Sequence, residues 1–85
     1  MGSYRLLVKP SAVKEIEAIP RKDRIRTVQK IRDLSGNPRP AGCEKLSGED
    51  KYRVRQGWYR VVYSIDDRAR EVLVVKVAHR KDVYR

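Results

Sequence analysis

Phenylalanine is absent, and cysteine, histidine and tryptophan each occur once, as Cys43, His79 and Trp58. One cysteine cannot close a disulfide within the chain, and one cysteine with one histidine is too few soft ligands for a structural zinc site. Disulfide and zinc scaffolds are excluded, and neither a metal nor another cofactor is expected. Long apolar runs are missing as well. The best candidate, residues 72–78, is interrupted by Lys76 and falls far short of the roughly 18 residues a membrane span requires. No basic region leads into an apolar core and a small-residue cleavage site, so the expectation is a cytoplasmic protein with no membrane partner. A length of 85 residues leaves room for one core, hence one domain over 1–85.

What the chain has in excess is positive charge. Lys and Arg number 21 against 11 Asp and Glu, a net charge of +10, and the pI is about 10.2. An anionic partner is expected. Hydrophobic residues make up 40% and the charged 38% is of mixed sign, which is too apolar and too patterned for a disordered basic tail. Residues 1–50 carry 11 basic and 7 acidic groups and residues 51–85 carry 10 and 4, so the shorter half is the more basic.

No repeat or linker divides the chain. Residues 4–8 form a short apolar run ended by Pro10, which suits a first strand. Pro10 then opens a helix with Val13, Ile16 and Ile19 at helical spacing, and Pro20 opens a second. In that second helix Ile25, Val28, Ile31 and Leu34 recur every three residues between Arg21, Lys22, Arg24, Arg26, Lys30 and Arg32. Residues 35–42 hold two Gly, two Pro, a Ser and an Asn and make a loop. Residues 51–55 alternate, 58–65 are rich in aromatic and β-branched side chains, and 72–77 are almost wholly Val and Leu, which predicts three more strands. The order β-α-α-β-β-β predicts an α+β fold: an antiparallel sheet with a helical hairpin packed on one face and the other face free.

A two-residue turn at Gln56-Gly57 would set Arg53 opposite Arg60, Val54 opposite Tyr59 and Tyr52 opposite Val61. Opposite residues share a face, so Tyr52, Val54, Tyr59, Val61, Tyr63 and Ile65 point toward the helices, while Arg53, Arg55, Arg60 and Trp58 point away. In the last strand Leu73, Val75 and Val77 fit the core face, which adds Lys76, and by continued parity Arg80, to the basic side. Like charges directly opposite one another destabilise a sheet when no anion is present. A chain that keeps them there is expected to use them; the plain alternative is a solubilising charged surface.

Four segments together resemble the RelE toxins of bacterial and archaeal toxin-antitoxin pairs: Glu44-Lys45-Leu46-Ser47-Gly48, Tyr52-Arg53-Val54-Arg55, Trp58-Tyr59-Arg60-Val61-Val62-Tyr63, and Val77-Ala78-His79-Arg80-Lys81-Asp82-Val83-Tyr84. The similarity covers nearly the whole chain and includes the element order. It implies a type II toxin that enters the ribosomal A site and cleaves mRNA without a metal, held silent by a cognate antitoxin, expected to be acidic. By position Arg60 and Arg80 match the phosphate-stabilising arginines of the family and Tyr84 its C-terminal tyrosine. Arg53 and Arg55 fall where many relatives carry lysines. Because arginine stays protonated, it serves poorly as a general base. His79, Lys51 and Tyr84 are then the candidate bases, although a histidine at a strand end in the parity of Val75 and Val77 also has a structural reading. Lys51, Arg53, Arg55, Trp58, Lys76 and Lys81 are the candidate RNA contacts, with Trp58 either stacking a base or capping the sheet edge. Cys43 reads as a small buried apolar residue. Arg85 follows Tyr84 directly, so the additional C-terminal helix of some relatives, and neutralisation by its displacement, are not expected. Two alternatives are a ParE-like poison of DNA gyrase and a non-catalytic basic RNA-binding module.

Overall fold

The computed structural model describes residues 3–46, 48 and 50–83. Its elements are β1 (Arg5–Val8), α1 (Pro10–Glu17), α2 (Arg21–Asp33), β2 (Glu44–Lys45), β3 (Lys51–Gln56), β4 (Tyr59–Asp66), β5 (Glu71–His79) and a terminal helical turn α3 (Arg80–Val83). One five-stranded sheet runs in the order β1-β5-β4-β3-β2. The α+β architecture matches the expectation, with three differences. β2 adds a two-residue strand beside β3, α3 follows β5, and β1 lies parallel to β5 while every other pair is antiparallel. The parallel pair follows from the helical hairpin, which carries the chain off the end of β1 and across the sheet before β2.

Each helix begins at a proline. Pro10 occupies the first turn of α1, and Pro20 is the N-cap of α2, where its fixed φ and missing N–H cost nothing. The core holds Ala12, Ile19, Ile31, Leu34, Val54, Val61, Tyr63, Val72, Val74 and Val77. Of the expected helix positions Ile16 and Val28 are only half-buried, and two are exposed. Val13 is 39% and Ile25 59% exposed. A spacing of three falls about 60° short of a full turn at each step, so Ile25 ends on the opposite side of α2 from Leu34. Thr27 takes the core position instead, its hydroxyl donating to the Asp23 carbonyl at 2.8 Å.

The hairpin register differs from the expected one by a single step. Gly57 and Trp58 form the two-residue turn, with Gly57 at φ +58°, a backbone state that favours glycine. The pairs are Gln56 with Tyr59, Arg55 with Arg60, Val54 with Val61, Arg53 with Val62 and Tyr52 with Tyr63. Moving the turn by one residue changes every partner by two, so each side chain keeps its face. Arg60 therefore opposes Arg55, not Arg53, and Trp58 sits in the turn.

β5 departs further. Between the pairs Tyr63–Val74 and Val62–Lys76 one residue, Val75, has no partner, which is a β-bulge. An extra residue flips parity, so Val72 and Val74 precede the bulge on the core face and Val77 and His79 follow it there. Leu73 and Val75, expected in the core, are half-buried on the opposite face.

The loop after α2 is pinned at its middle, through Pro38 and Arg39. Tyr63 donates its hydroxyl to the Pro38 carbonyl at 2.7 Å. Arg39 holds Asp67 through two nitrogens at 3.2 and 3.0 Å, and Tyr4 donates to the same carboxylate at 2.7 Å. Cys43 is half-buried beside the Tyr63 hydroxyl, not fully buried as expected.

Candidate functional site

The face of the sheet turned away from the helices carries Lys51, Arg53 and Arg55 on β3, Arg60 and Val62 on β4, and Lys76 on β5, as the register pairs require. Arg60 is 6% exposed, yet its hydrogen bond is one long 3.5 Å contact to the Tyr59 carbonyl. Among the described residues neither Arg60 nor Arg55 has a carboxylate within ion-pairing distance. Among the described residues no buried side-chain nitrogen lacks a partner, so the Arg60 nitrogens without a protein acceptor reach solvent, and a second arginine holds the position directly across the ladder. Oxygen atoms from a ligand would satisfy both.

Among the described residues one carboxylate approaches the cluster. Glu44, on β2, is ion-paired with Arg53. Its carboxyl is held below the usual carboxylate range by the hydrogen bond from Arg53 first, then by the charge of Arg53, with smaller contributions from Arg55 and Arg60. All three arginines thus act on this exposed carboxylate. Sequence reasoning gave Glu44 no role, because a two-residue strand carries no periodicity that would place it.

Beside the arginines lies a groove of about 390 Å³, with Lys9, Leu46, Lys51 and Arg53 around Val62 and Val75. Lys9 was not singled out by sequence; it closes the groove because β1 runs alongside β5. Lys76, also at this groove, pairs with Glu15 of α1 at 3.4 Å. The same Glu15 accepts the Val77 backbone N–H at 2.9 Å and so covers part of the β5 edge that β1 leaves open.

His79, Arg80 and Lys81 gather elsewhere, at the turn between β3 and β4. The register expected for Arg80 does not hold, since the strand ends at His79 and Arg80 begins α3. Its backbone N–H donates to the Trp58 carbonyl at 2.7 Å, and its guanidinium lies 4.6 Å from the centre of the Trp58 ring system. His79 stacks on Trp58, with centroids 6.2 Å apart and planes 3° from parallel, and meets Tyr59 edge-on. Nδ1 of His79 accepts the Lys81 backbone N–H at 3.3 Å, which leaves Nε2 to carry the proton in the neutral ring. That arrangement, together with its pairing to Tyr59, separates His79 from the arginine face. Tyr84 lies outside the described residues.

A sheet face of converging arginines backed by a helical hairpin has recognisable relatives. The family model described as the ParE toxin of the type II toxin-antitoxin system parDE matches residues 6–84. The chain belongs to the RelE/ParE toxin superfamily. It is a RelE-type toxin of a type II toxin-antitoxin system. The RelE toxin of Mycobacterium tuberculosis is 30% identical over 84 residues, covering 96% of this chain and 87% of that protein. The RelG toxin of the same organism is 39% identical over 56 residues, and that match spans 62% of this chain and 62% of RelG. In structure, the toxin resembles the archaeal RelE-RelB complex of Pyrococcus horikoshii with a TM-score of 0.84 and 28% identity, covering 94% of this chain and 98% of that one.

Proposed function

We propose that this toxin is a metal-independent mRNA endoribonuclease that acts in the ribosomal A site and arrests translation in the cytoplasm. The observation that carries this reading is the Arg55–Arg60 pair, two arginines at opposed positions on an open sheet face, neither with a carboxylate at ion-pairing distance among the described residues. Such a pair fits a phosphate that gains charge during reaction. The ribose 2′-hydroxyl loses its proton and attacks the adjacent phosphorus, the P–O5′ bond breaks, and the departing 5′-oxygen takes up a proton. Arg60 and Arg55 stabilise the extra negative charge on the phosphoryl oxygens, while Arg53 and Lys51 orient the strand. The arginines cannot act as bases. Proton transfer falls to Lys51 on the same face and to Tyr84, and His79 is set aside because its Nδ1 is engaged and its ring lies at the turn.

The silent state requires a partner. An acidic cognate antitoxin covering the arginine face would remove the repulsion between Arg55 and Arg60 and raise stability by binding. That the Pyrococcus horikoshii relative is a RelE-RelB complex supports this assignment.

A second reading, a poison of DNA gyrase, is favoured by the description of the matching family as ParE. Primer extension on ribosome-bound mRNA after induction separates the two. Cuts within codons support the nuclease, gyrase-linked DNA breaks without mRNA cuts support the poison, and neither would leave a basic binding module.

A further inference from the structure

Trp58 is the one tryptophan of the chain and, among the described residues, the one exposed aromatic side chain. It is 55% exposed at the tip of the β3–β4 hairpin, where an indole gains little from the core. Its ring is nevertheless held in place. His79 lies parallel beside it, and the hydrogen bond from Arg80 N–H to the Trp58 carbonyl ties the turn to α3. The Arg80 guanidinium rests over the ring at 4.6 Å. Trp58, His79, Arg80 and Lys81 line a depression of about 350 Å³, and no carboxylate is among these residues.

We propose that this cluster is a base-stacking subsite for single-stranded RNA, next to the phosphate-binding arginines but separate from them. The proposal rests on reading RNA as the substrate. A nucleobase presents a flat π face with an anionic phosphate attached to one side, and an exposed, immobilised indole flanked by cations answers both features. Position supports the assignment. Trp58 sits in the turn two residues before Arg60, so the two Cα atoms are at most about 7 Å apart. The nucleotide next to one held at the arginine pair can therefore reach the indole. An acidic peptide would satisfy Arg80 and Lys81 but would have no use for a fixed, half-exposed indole.

Because Trp58 is unique, its own fluorescence reports the contact. The free toxin is titrated at low salt with a short single-stranded RNA and, separately, with inorganic polyphosphate, and binding is followed in parallel by anisotropy of the labelled polymer. RNA should quench the tryptophan emission, whereas polyphosphate should bind and leave it largely unchanged. Trp58→Ala should weaken RNA binding about tenfold, Trp58→Phe no more than about threefold, and both should retain polyphosphate affinity and the wild-type melting temperature. RNA that binds without quenching, RNA that does not bind, or equal weakening toward both polymers overturns the proposal. So does a Trp58→Ala variant that loses only an acidic protein partner. Cleavage of ribosome-bound mRNA is scored separately. Cleavage without quenching rejects the subsite and keeps the nuclease reading, while quenching without cleavage keeps the subsite and rejects that reading.

Discussion

Arg60 lies directly across the β3–β4 ladder from Arg55, with Arg60 buried and Arg55 in solvent. Two like charges at paired positions repel, so the resting fold carries a local cost that an anion removes. Arg55→Gln should raise the melting temperature in anion-free, low-salt buffer, and added sulfate or RNA should stabilise the wild type more than the variant. An identical melting temperature and an identical response to sulfate would remove the repulsion from the account.

Arg60→Ala should lower ribosome-dependent mRNA cleavage by about a hundredfold or more, the usual cost of removing a donor that stabilises transition-state charge. Arg80→Ala should also relieve growth arrest. Circular dichroism should show both variants folded. Full toxicity in both, with intact spectra, would reject the nuclease assignment.

The Tyr4–Arg39–Asp67 clamp gives stability a pH dependence. The Asp67 carboxyl is held below the ordinary range by hydrogen bonds from Arg39 first and Tyr4 second. Unfolding releases it to about 3.9, so the unfolded chain binds the proton first as pH falls. The contribution is therefore complete above about pH 5 and disappears as pH falls through the folded value. At the alkaline end the signs reverse. Tyr63 is raised above 10, mainly by burial, and Tyr4 is raised mainly by its hydrogen bond to Asp67. Stability that depends on their neutral forms is present below pH 10 and lost above it. Melting curves from pH 2 to 11 should show both declines, and Asp67→Asn should flatten the acid one.

The faces of β3 and β4 were legible because side-chain parity survives a turn misplaced by one residue; only the partners changed, from Arg53–Arg60 to Arg55–Arg60. The bulge at Val75 was not legible. Residues 72–75 are all apolar, so no alternation betrays where the register breaks, and the error reached Leu73 and Val75; Arg80 left the expected face for a different reason, because β5 ends at His79 and α3 begins there. In α2 a strict three-residue repeat looked like a stripe, but it rotates around the helix and leaves Ile25 in solvent. Glu44 escaped notice because its role depends on pairing between distant segments rather than on local pattern.

The bulge itself can be tested by contrast. Val72 is fully buried and Leu73, its neighbour, is half-buried on the other face. Val72→Ala should cost about 1.5 to 3 kcal/mol in urea unfolding, and Leu73→Ala less than about 1 kcal/mol, because little apolar area returns to water. The opposite ranking would restore simple alternation along β5.

Glu44 provides the most direct test of how the arginine face is governed. Its carboxylate already sits among Arg53, Arg55 and Arg60, so an incoming RNA phosphate must compete with it for the same guanidinium groups. Glu44→Gln preserves shape and removes the charge. It should therefore raise affinity for single-stranded RNA and steepen the fall of log K with log salt by about 0.7, the slope of one additional phosphate contact. In the wild type, affinity should rise as pH is lowered toward the depressed Glu44 value, because protonation removes the competitor; the Gln variant should lack that rise. The variant should also melt lower in the absence of anions, since its three arginines have lost their shared counter-charge. Anisotropy titrations across about 50 to 300 mM salt at two pH values measure all of these. If RNA affinity in Glu44→Gln equals that of the wild type, the carboxylate and the phosphate do not share the site.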